Sequence, residues 1–170
     1  MAKAIKVVTG KVRFSYVHVF EPQAAQEGGT PKHSMSIIIS KDDKETIDKV
    51  KKGFEDAKEE YKAIWGGSIP KGLKGGLRDG DTEKDDPAYA NSYFINANSL
   101  QKPGVVDADL NPILDKSEFY SGCYGRVSLS FYGYNSNGSK GVGCGLNNVQ
   151  KLEDGEKLGG GSSAADDFAN

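Results

Sequence analysis

Residues 119–152 read FYSGCYGRVSLSFYGYNSNGSKGVGCGLNNVQKL. The stretch holds six aromatic residues (Phe119, Tyr120, Tyr124, Phe131, Tyr132, Tyr134), three basic residues (Arg126, Lys140, Lys151) and no acid. Its turn-forming run, Asn135-Ser136-Asn137-Gly138-Ser139, predicts a β-hairpin. Side chains alternate faces along a strand. On the first arm Val127, Leu129 and Phe131 share a face suited to a core. The opposite face carries Tyr124, Arg126, Ser128, Ser130, Tyr132 and Tyr134. A solvent-facing row of tyrosines with an arginine and small hydroxyls suits stacked bases and a phosphate backbone.

Outward from the hairpin, the chain alternates short apolar runs with turns. Residues 5–8 and 11–20 predict one long or two short strands broken near Gly10. Residues 12–20 mix apolar and polar side chains on both faces, so neither face identifies itself as core. Residues 21–32 predict a loop, 35–40 a strand and 92–97 another, with Tyr93 and Ile95 on one face. Residues 103–114 predict two short extended pieces around Pro112. Between the strands lies one clear helix. Ile47, Val50, Phe54, Ala57, Tyr61 and Ile64 recur at steps of three or four. Ser40 or Asp42 is expected to cap it, Asp43 and Glu45 suit its first turn, and Gly66-Gly67 stops it. Trp65 follows the apolar stripe and is expected in the core. Residues 66–90 form a long Gly-, Lys- and Asp-rich connection of a length associated with function or disorder.

These elements predict a mainly β fold with one inserted helix: a small antiparallel barrel of the OB type, with the helix packed on it. One domain over residues 1–157 is expected from the 170-residue length. Residues 158–170 read as a flexible Gly/Ser linker with an acidic tip. No signal peptide or membrane-spanning run is apparent, so a soluble protein of the cytoplasm is expected. Two cysteines, Cys123 and Cys144, make neither a metal framework nor an expected disulfide. If Tyr134 pairs with Lys140, Cys144 faces Ser130, far from Cys123.

The formal net charge is −2, so no general basicity points to a polyanion. The distribution does. Residues 1–20, 66–78 and 119–152 together hold ten basic residues and no acid. Segregation of this kind builds a local positive field on a near-neutral protein. The candidate DNA-contacting residues are Arg13, Tyr16, Lys71, Lys74, Arg78, Tyr93, Tyr124, Arg126, Tyr132 and Tyr134. Asp79, Asp81, Glu83, Asp85 and Asp86 lack the glycine position and closing Glu of a calcium loop, and read as a solvated loop. His18 and His33 have no ligand-spaced partners. No cofactor is expected. No Walker, GxSxG, HExxH or GxGxxG motif sits in its required context, and a binding protein is expected rather than an enzyme.

Several long strings carry a family resemblance: VHVFEP (17–22), LRDGD (77–81), DDPAYANSYFINANS (85–99), PGVVD (103–107) and the hairpin itself, from Ser117 on. Through them the chain resembles a family of bacteriophage and prophage single-stranded-DNA-binding proteins with an OB fold. The resemblance implies coating of single strands without sequence preference in phage replication or recombination, in a bacterial host. The tail is similar to those of other single-strand-binding proteins, in which an acidic tip with phenylalanine recruits replication enzymes. Here Asp166, Asp167 and Phe168 match in kind, although two residues follow the phenylalanine. Two other readings are open: a phage structural or protein-interaction module that docks a protein on the tyrosine face, and a metal-dependent nuclease using residues 79–86.

Overall fold

The hairpin is the longest pair of strands in the computed structural model, which describes residues 2–24 and 27–158. β7 (Tyr124–Ser136) and β8 (Ser139–Glu153) run antiparallel. The turn needs only Asn137 and Gly138, whose φ values of 50° and 80° are both left-handed. Asn-Gly is the pair that a type I′ hairpin turn prefers. The ladder therefore continues to Ser136↔Ser139, and the pairing moves one residue from the expected register. Tyr134 faces Gly141, Asn135 faces Lys140, and Cys144 lies opposite Phe131 rather than Ser130. Both thiols are free and buried, and burial pushes Cys144 up to about 12. The alternation expected on β7 holds: Val127, Leu129 and Phe131 are buried, with Tyr124, Arg126, Ser128, Ser130, Tyr132 and Tyr134 on the other face.

Six further strands complete the sheet: β1 (Ile5–Val8), β2 (Val12–Gln23), β3 (Lys32–Ser40), β4 (Arg78–Asp79), β5 (Ser92–Ser99) and β6 (Gly104–Val106). β7 pairs with β2, β2 with β3, β3 with β5, β5 with β8, and β8 again with β7. Five strands thus close a ring, the barrel expected of an OB-type fold. β1 and β2 lie in succession along one edge of β7, parted at Thr9–Lys11. Thr9 fastens the break: its N–H donates to the Val127 carbonyl and its Oγ1 accepts from the Val127 N–H, at 3.0 and 3.1 Å.

The mixed faces of β2 have a cause. Tyr16 adopts φ 49°, and the ladder slips between Ser15 and His18. One extra residue reverses the parity of everything after it. Val12 and Phe14 point inward before the bulge, Val17 and Val19 after it.

α1 (Lys44–Tyr61) follows β3 and packs on β1 and β7. Gly53 is the point of closest approach, where a Cβ would stand 2.5 Å from the Val7 Cγ2 and 3.1 Å from the Phe131 ring. Thr46, Ile47, Val50 and Ala57 are buried beside it, with Phe54 and Tyr61 partly so. Ile64 departs from the expected stripe and is exposed, because the chain tightens to a 3₁₀ turn at Lys62–Trp65. Three residues per turn rotate the later positions off the buried face. Trp65 is buried as expected, and its Nε1 donates to the Tyr134 carbonyl at 3.0 Å. Gly66, at φ 88°, ends the segment. The helix N-cap is Asp43 rather than Ser40 or Asp42, its Oδ1 accepting from the Thr46 N–H at 3.2 Å. Asp43→Ala is expected to cost about 1 kcal/mol in urea unfolding, and Asp43→Asn to restore most of it. Among the described residues no helix is long and apolar enough to cross a membrane.

Candidate nucleic-acid interface

The outward faces of the strands line up across the barrel. His18 pairs with Ser34, Ser34 with Asn98, Asn98 with Gly145, Gly145 with Ser130 and Ser130 with Lys6. The neighbours of each along its strand point into the core, so these six residues form an outward row over β2, β3, β5, β8, β7 and β1. At a strand spacing of about 4.8 Å the row is roughly 24 Å long. A second row runs beside it, with Ser15 paired to Ser36, Ser36 to Asn96, and Gly143 to Tyr132. The band is polar and built of small side chains, and it is open along the first row; in the second, Ser15 and Ser36 are buried, with Tyr89 bonded to Ser36.

Two tyrosines close one side of the band. A Cβ on Gly143 would fall 2.4 Å from the Tyr132 ring, and one on Gly141 2.6 Å from the Tyr134 hydroxyl. Each ring therefore lies against the glycine opposite it, a cross-strand arrangement that glycine alone permits. Both rings are half-exposed. Burial holds the Tyr132 phenol above its ordinary value, so it is neutral at physiological pH and does not repel phosphate. Lys74 sits beside this pair, bridging to Gly141, with its Nζ 3.1 Å from the Ser139 hydroxyl.

The segment after Lys74 runs into β4, which pairs with β5 and places Arg78 opposite Phe94. The Arg78 guanidinium stands 5.0 Å from the Phe94 ring centroid and pairs with Glu83 at 2.8 Å. α2 (Gly80–Glu83) then delivers Lys84, whose Nζ lies 5.0 Å from Tyr16, 5.2 Å from Tyr89 and 5.3 Å from Phe94. Tyr16, lifted out by its bulge, is 55% exposed. Tyr89 is buried on Ile38 and Phe94 and donates to the Ser36 hydroxyl at 2.9 Å. An aromatic and cationic cluster thus borders the band near β2. Lys84 escapes sequence reasoning because it stands among Asp81, Glu83, Asp85 and Asp86.

Three of those acids, and Asp79 before them, have structural work: Glu83 holds Arg78. Asp79 and Asp81 share Lys41, at 2.9 and 2.8 Å, and Asp86 accepts from the Ala88 N–H. Lys41 holds both carboxyls below their ordinary 3.8, and they hold its ammonium above its ordinary 10.5. A depressed carboxyl pKa stabilises the fold above the unfolded value, and that contribution is lost as pH falls through the folded value. Melting temperature is therefore expected to drop below about pH 4, and Lys41→Met to flatten part of that drop. Among the described residues no three His, Cys, Asp or Glu side chains converge as metal ligands would.

Other expected contact residues lie elsewhere. Arg13 donates from Nε to the Gly122 carbonyl and from Nη2 to the Glu156 carbonyl, at 3.0 and 2.8 Å, and stacks on Tyr124. Tyr124 packs against Gly155 and beside Lys11, which pairs with Glu153. It shares the outward face of β7 with Tyr134 but stands ten residues away, about 33 Å along the strand. Arg126 is exposed on that face between them, its Nε donating to the Thr9 carbonyl at 3.1 Å. Tyr93 shares its face with Ile95, as expected, and that face is the core side; its ring lies under Lys41 and Lys51 at the α1 end. Lys71 is exposed in the turn before Lys74. Leu158 is anchored, its N–H donating to the Ser121 carbonyl and its side chain against the Ile38–Tyr89–Phe94 cluster. Asp166, Asp167 and Phe168 lie outside the described residues.

Comparison with known proteins agrees with this architecture. The solved single-stranded DNA-binding protein from bacteriophage Enc34, in complex with ssDNA, superposes with a TM-score of 0.80 at 23% identity, covering 91% of this chain and 90% of that one. The single-stranded DNA binding protein gp2.5 of bacteriophage T7 gives 0.63 at 15% identity, covering 98% and 95%. At such identities these likenesses speak for the fold. Protein p50 of Acyrthosiphon pisum secondary endosymbiont phage 1 is 29% identical over 172 residues, 96% of this chain and 92% of that protein. The family described as Enterobacter phage Enc34, ssDNA-binding protein, matches residues 5–170. That match spans nearly the whole sequence, and the chain belongs to this family of phage single-stranded-DNA-binding proteins.

Proposed function

We propose that the chain coats single-stranded DNA along the outward band, in phage DNA replication or recombination in the cytoplasm of a bacterial host. Bases stack on Tyr132, Tyr134 and Tyr16, and phosphates meet Lys74, Arg78 and Lys84. The observation that carries this reading is the seating of the phenol ends of Tyr132 and Tyr134 against Gly143 and Gly141, next to Lys74. A ring held against backbone is already ordered, so a base that stacks on it loses less entropy than one meeting a mobile side chain. Stacking of this kind tolerates every base. The tail residues Asp166, Asp167 and Phe168 are proposed to recruit replication partners.

The test is titration of labelled oligo-dT across a range of salt concentrations. Affinity should fall with a log–log slope of about −0.7 per phosphate contacted. Lys74→Ala and Lys84→Ala should each make the slope shallower by about that amount, and Arg78→Ala by less, since Glu83 already pairs with it. Arg13→Ala should change it less, since two of the Arg13 N–H groups are turned to the Gly122 and Glu156 carbonyls. The chain acts by binding alone, so the oligonucleotide should survive magnesium intact. No binding at any salt would favour a protein-docking role for the tyrosine face, and cleavage would favour a nuclease.

A further inference from the structure

β2 and β3 part at one place. Their ladder pairs His18 with Ser34 and next pairs Gln23 with Lys32. Between these pairs β2 spends residues 19–22 and β3 spends His33 alone, so β2 arches away from its partner. Pro22 suits the arch, having no N–H to give a ladder. His33 pins it. The side chain is buried, with Nδ1 3.0 Å from the Val19 carbonyl. A carbonyl only accepts, so the imidazole donates from Nδ1.

Beyond the arch, a cavity of about 550 Å³ lies at the end of the outward row, between the strands and Gln23, Ala24 and Gly29 at the end of β2 and after it. That volume falls within the roughly 300–1,000 Å³ of small-ligand pockets. His18, Ser34 and Asn98 stand side by side on it, half-buried, with exposed Thr30 and Lys32 at its edge. Other polar side chains on the outward faces are occupied: Asn147 donates to Ser128 and Ser130, and Tyr89 to Ser36. The side chains of His18, Ser34 and Asn98 make no hydrogen bond among the described residues. Three adjacent strands therefore present unused donors and acceptors to one recess, in line with the tyrosines.

We infer that this recess is a base-reading subsite, taking one nucleobase of the bound strand edge-first with its phosphate towards Lys32. The inference rests on the reading that the band binds single-stranded DNA. The Asn98 amide offers a donor and an acceptor side by side, the complement of the paired donor and acceptor on a base edge. Single strands leave their Watson–Crick edges open to such contacts. Stacking on Tyr132 and Tyr134 ignores base identity, whereas the recess does not. One position of each bound segment is read, and the rest are coated.

The experiment compares dissociation constants for dT, dC and dA homopolymers of about twelve nucleotides, within the 4–16 that one OB fold covers. The full chain, Asn98→Ala and Tyr132→Ala are measured, with melting temperature as the control for folding. The unaltered chain should rank the three homopolymers. Asn98→Ala should weaken the preferred one by about two- to tenfold and leave the least preferred nearly unchanged, so the ranking collapses. Tyr132→Ala should weaken all three by a common factor. Ser34→Ala gives the same readout should Asn98→Ala fail to fold. Equal binding of all three by the unaltered chain, or a ranking that survives both Asn98→Ala and Ser34→Ala, would overturn the subsite while leaving the coating function standing. Failure of the unaltered chain to bind any homopolymer would sink the coating function and the subsite with it.

Discussion

Replacing Tyr132 and Tyr134 together with alanine is expected to weaken oligo-dT binding by about 2–6 kcal/mol, at about 1–3 kcal/mol for each stacked base. Even the lower figure is more than a tenfold loss. The fold should survive. Both rings are half-exposed and lie outside the core, and the Trp65 bond to position 134 uses a backbone carbonyl that alanine keeps. A small fall in melting temperature is expected, since the rings cover Gly141 and Gly143. Gly143→Ala provides a cross-check, because its Cβ would occupy the space of the Tyr132 ring and displace it. A double variant that melts normally and binds as tightly as the original would place stacking elsewhere.

The adjacent residue should behave in the opposite way. Phe131 is fully buried, packs under Gly53 of α1 and pairs with Cys144. Phe131→Ala should cost about 3–5 kcal/mol in urea unfolding, as a large cavity opens where helix and barrel meet. The folded fraction should bind oligo-dT as before. One step along β7 thus separates a stability defect from a binding defect. That contrast holds only in the observed register, since a slip of one residue would exchange the two roles.

Much of this was legible in the chain. Alternation along residues 124–134 identified the inner and outer faces of β7, because tyrosine and arginine alternate there with Val127, Leu129 and Phe131. The stripe Ile47, Val50, Ala57 and the Gly66 stop identified the helix. What escaped depended on non-local geometry. The bulge at Tyr16 reversed the parity of β2, and no local signal marks a left-handed tyrosine. The arch over residues 19–22 exists only because β2 and β3 differ in length between two pairings, and the recess at His18, Ser34 and Asn98 exists only because three strands meet there. Arg13 read only as a cation; that its guanidinium meets the carbonyls of Gly122 and Glu156, each over 100 residues away, needed the fold. Tyr93 was visible as a partner of Ile95, yet the consequence, a place on the core side, needed the closed barrel. Lys84 was concealed by acids that turn out to serve Lys41, Arg78 and a helix cap.

Single-stranded DNA that runs along the outward band and stacks on its tyrosines should leave a photochemical footprint there. Ultraviolet crosslinking of bound oligo-dT, with the adducts located by mass spectrometry, tests this most directly. Adducts should concentrate at Tyr132, Tyr134 and Tyr16 and disappear as salt is raised. Adducts confined to Tyr120 and Tyr124, or to the solvent face of α1, would place the strand elsewhere on the molecule.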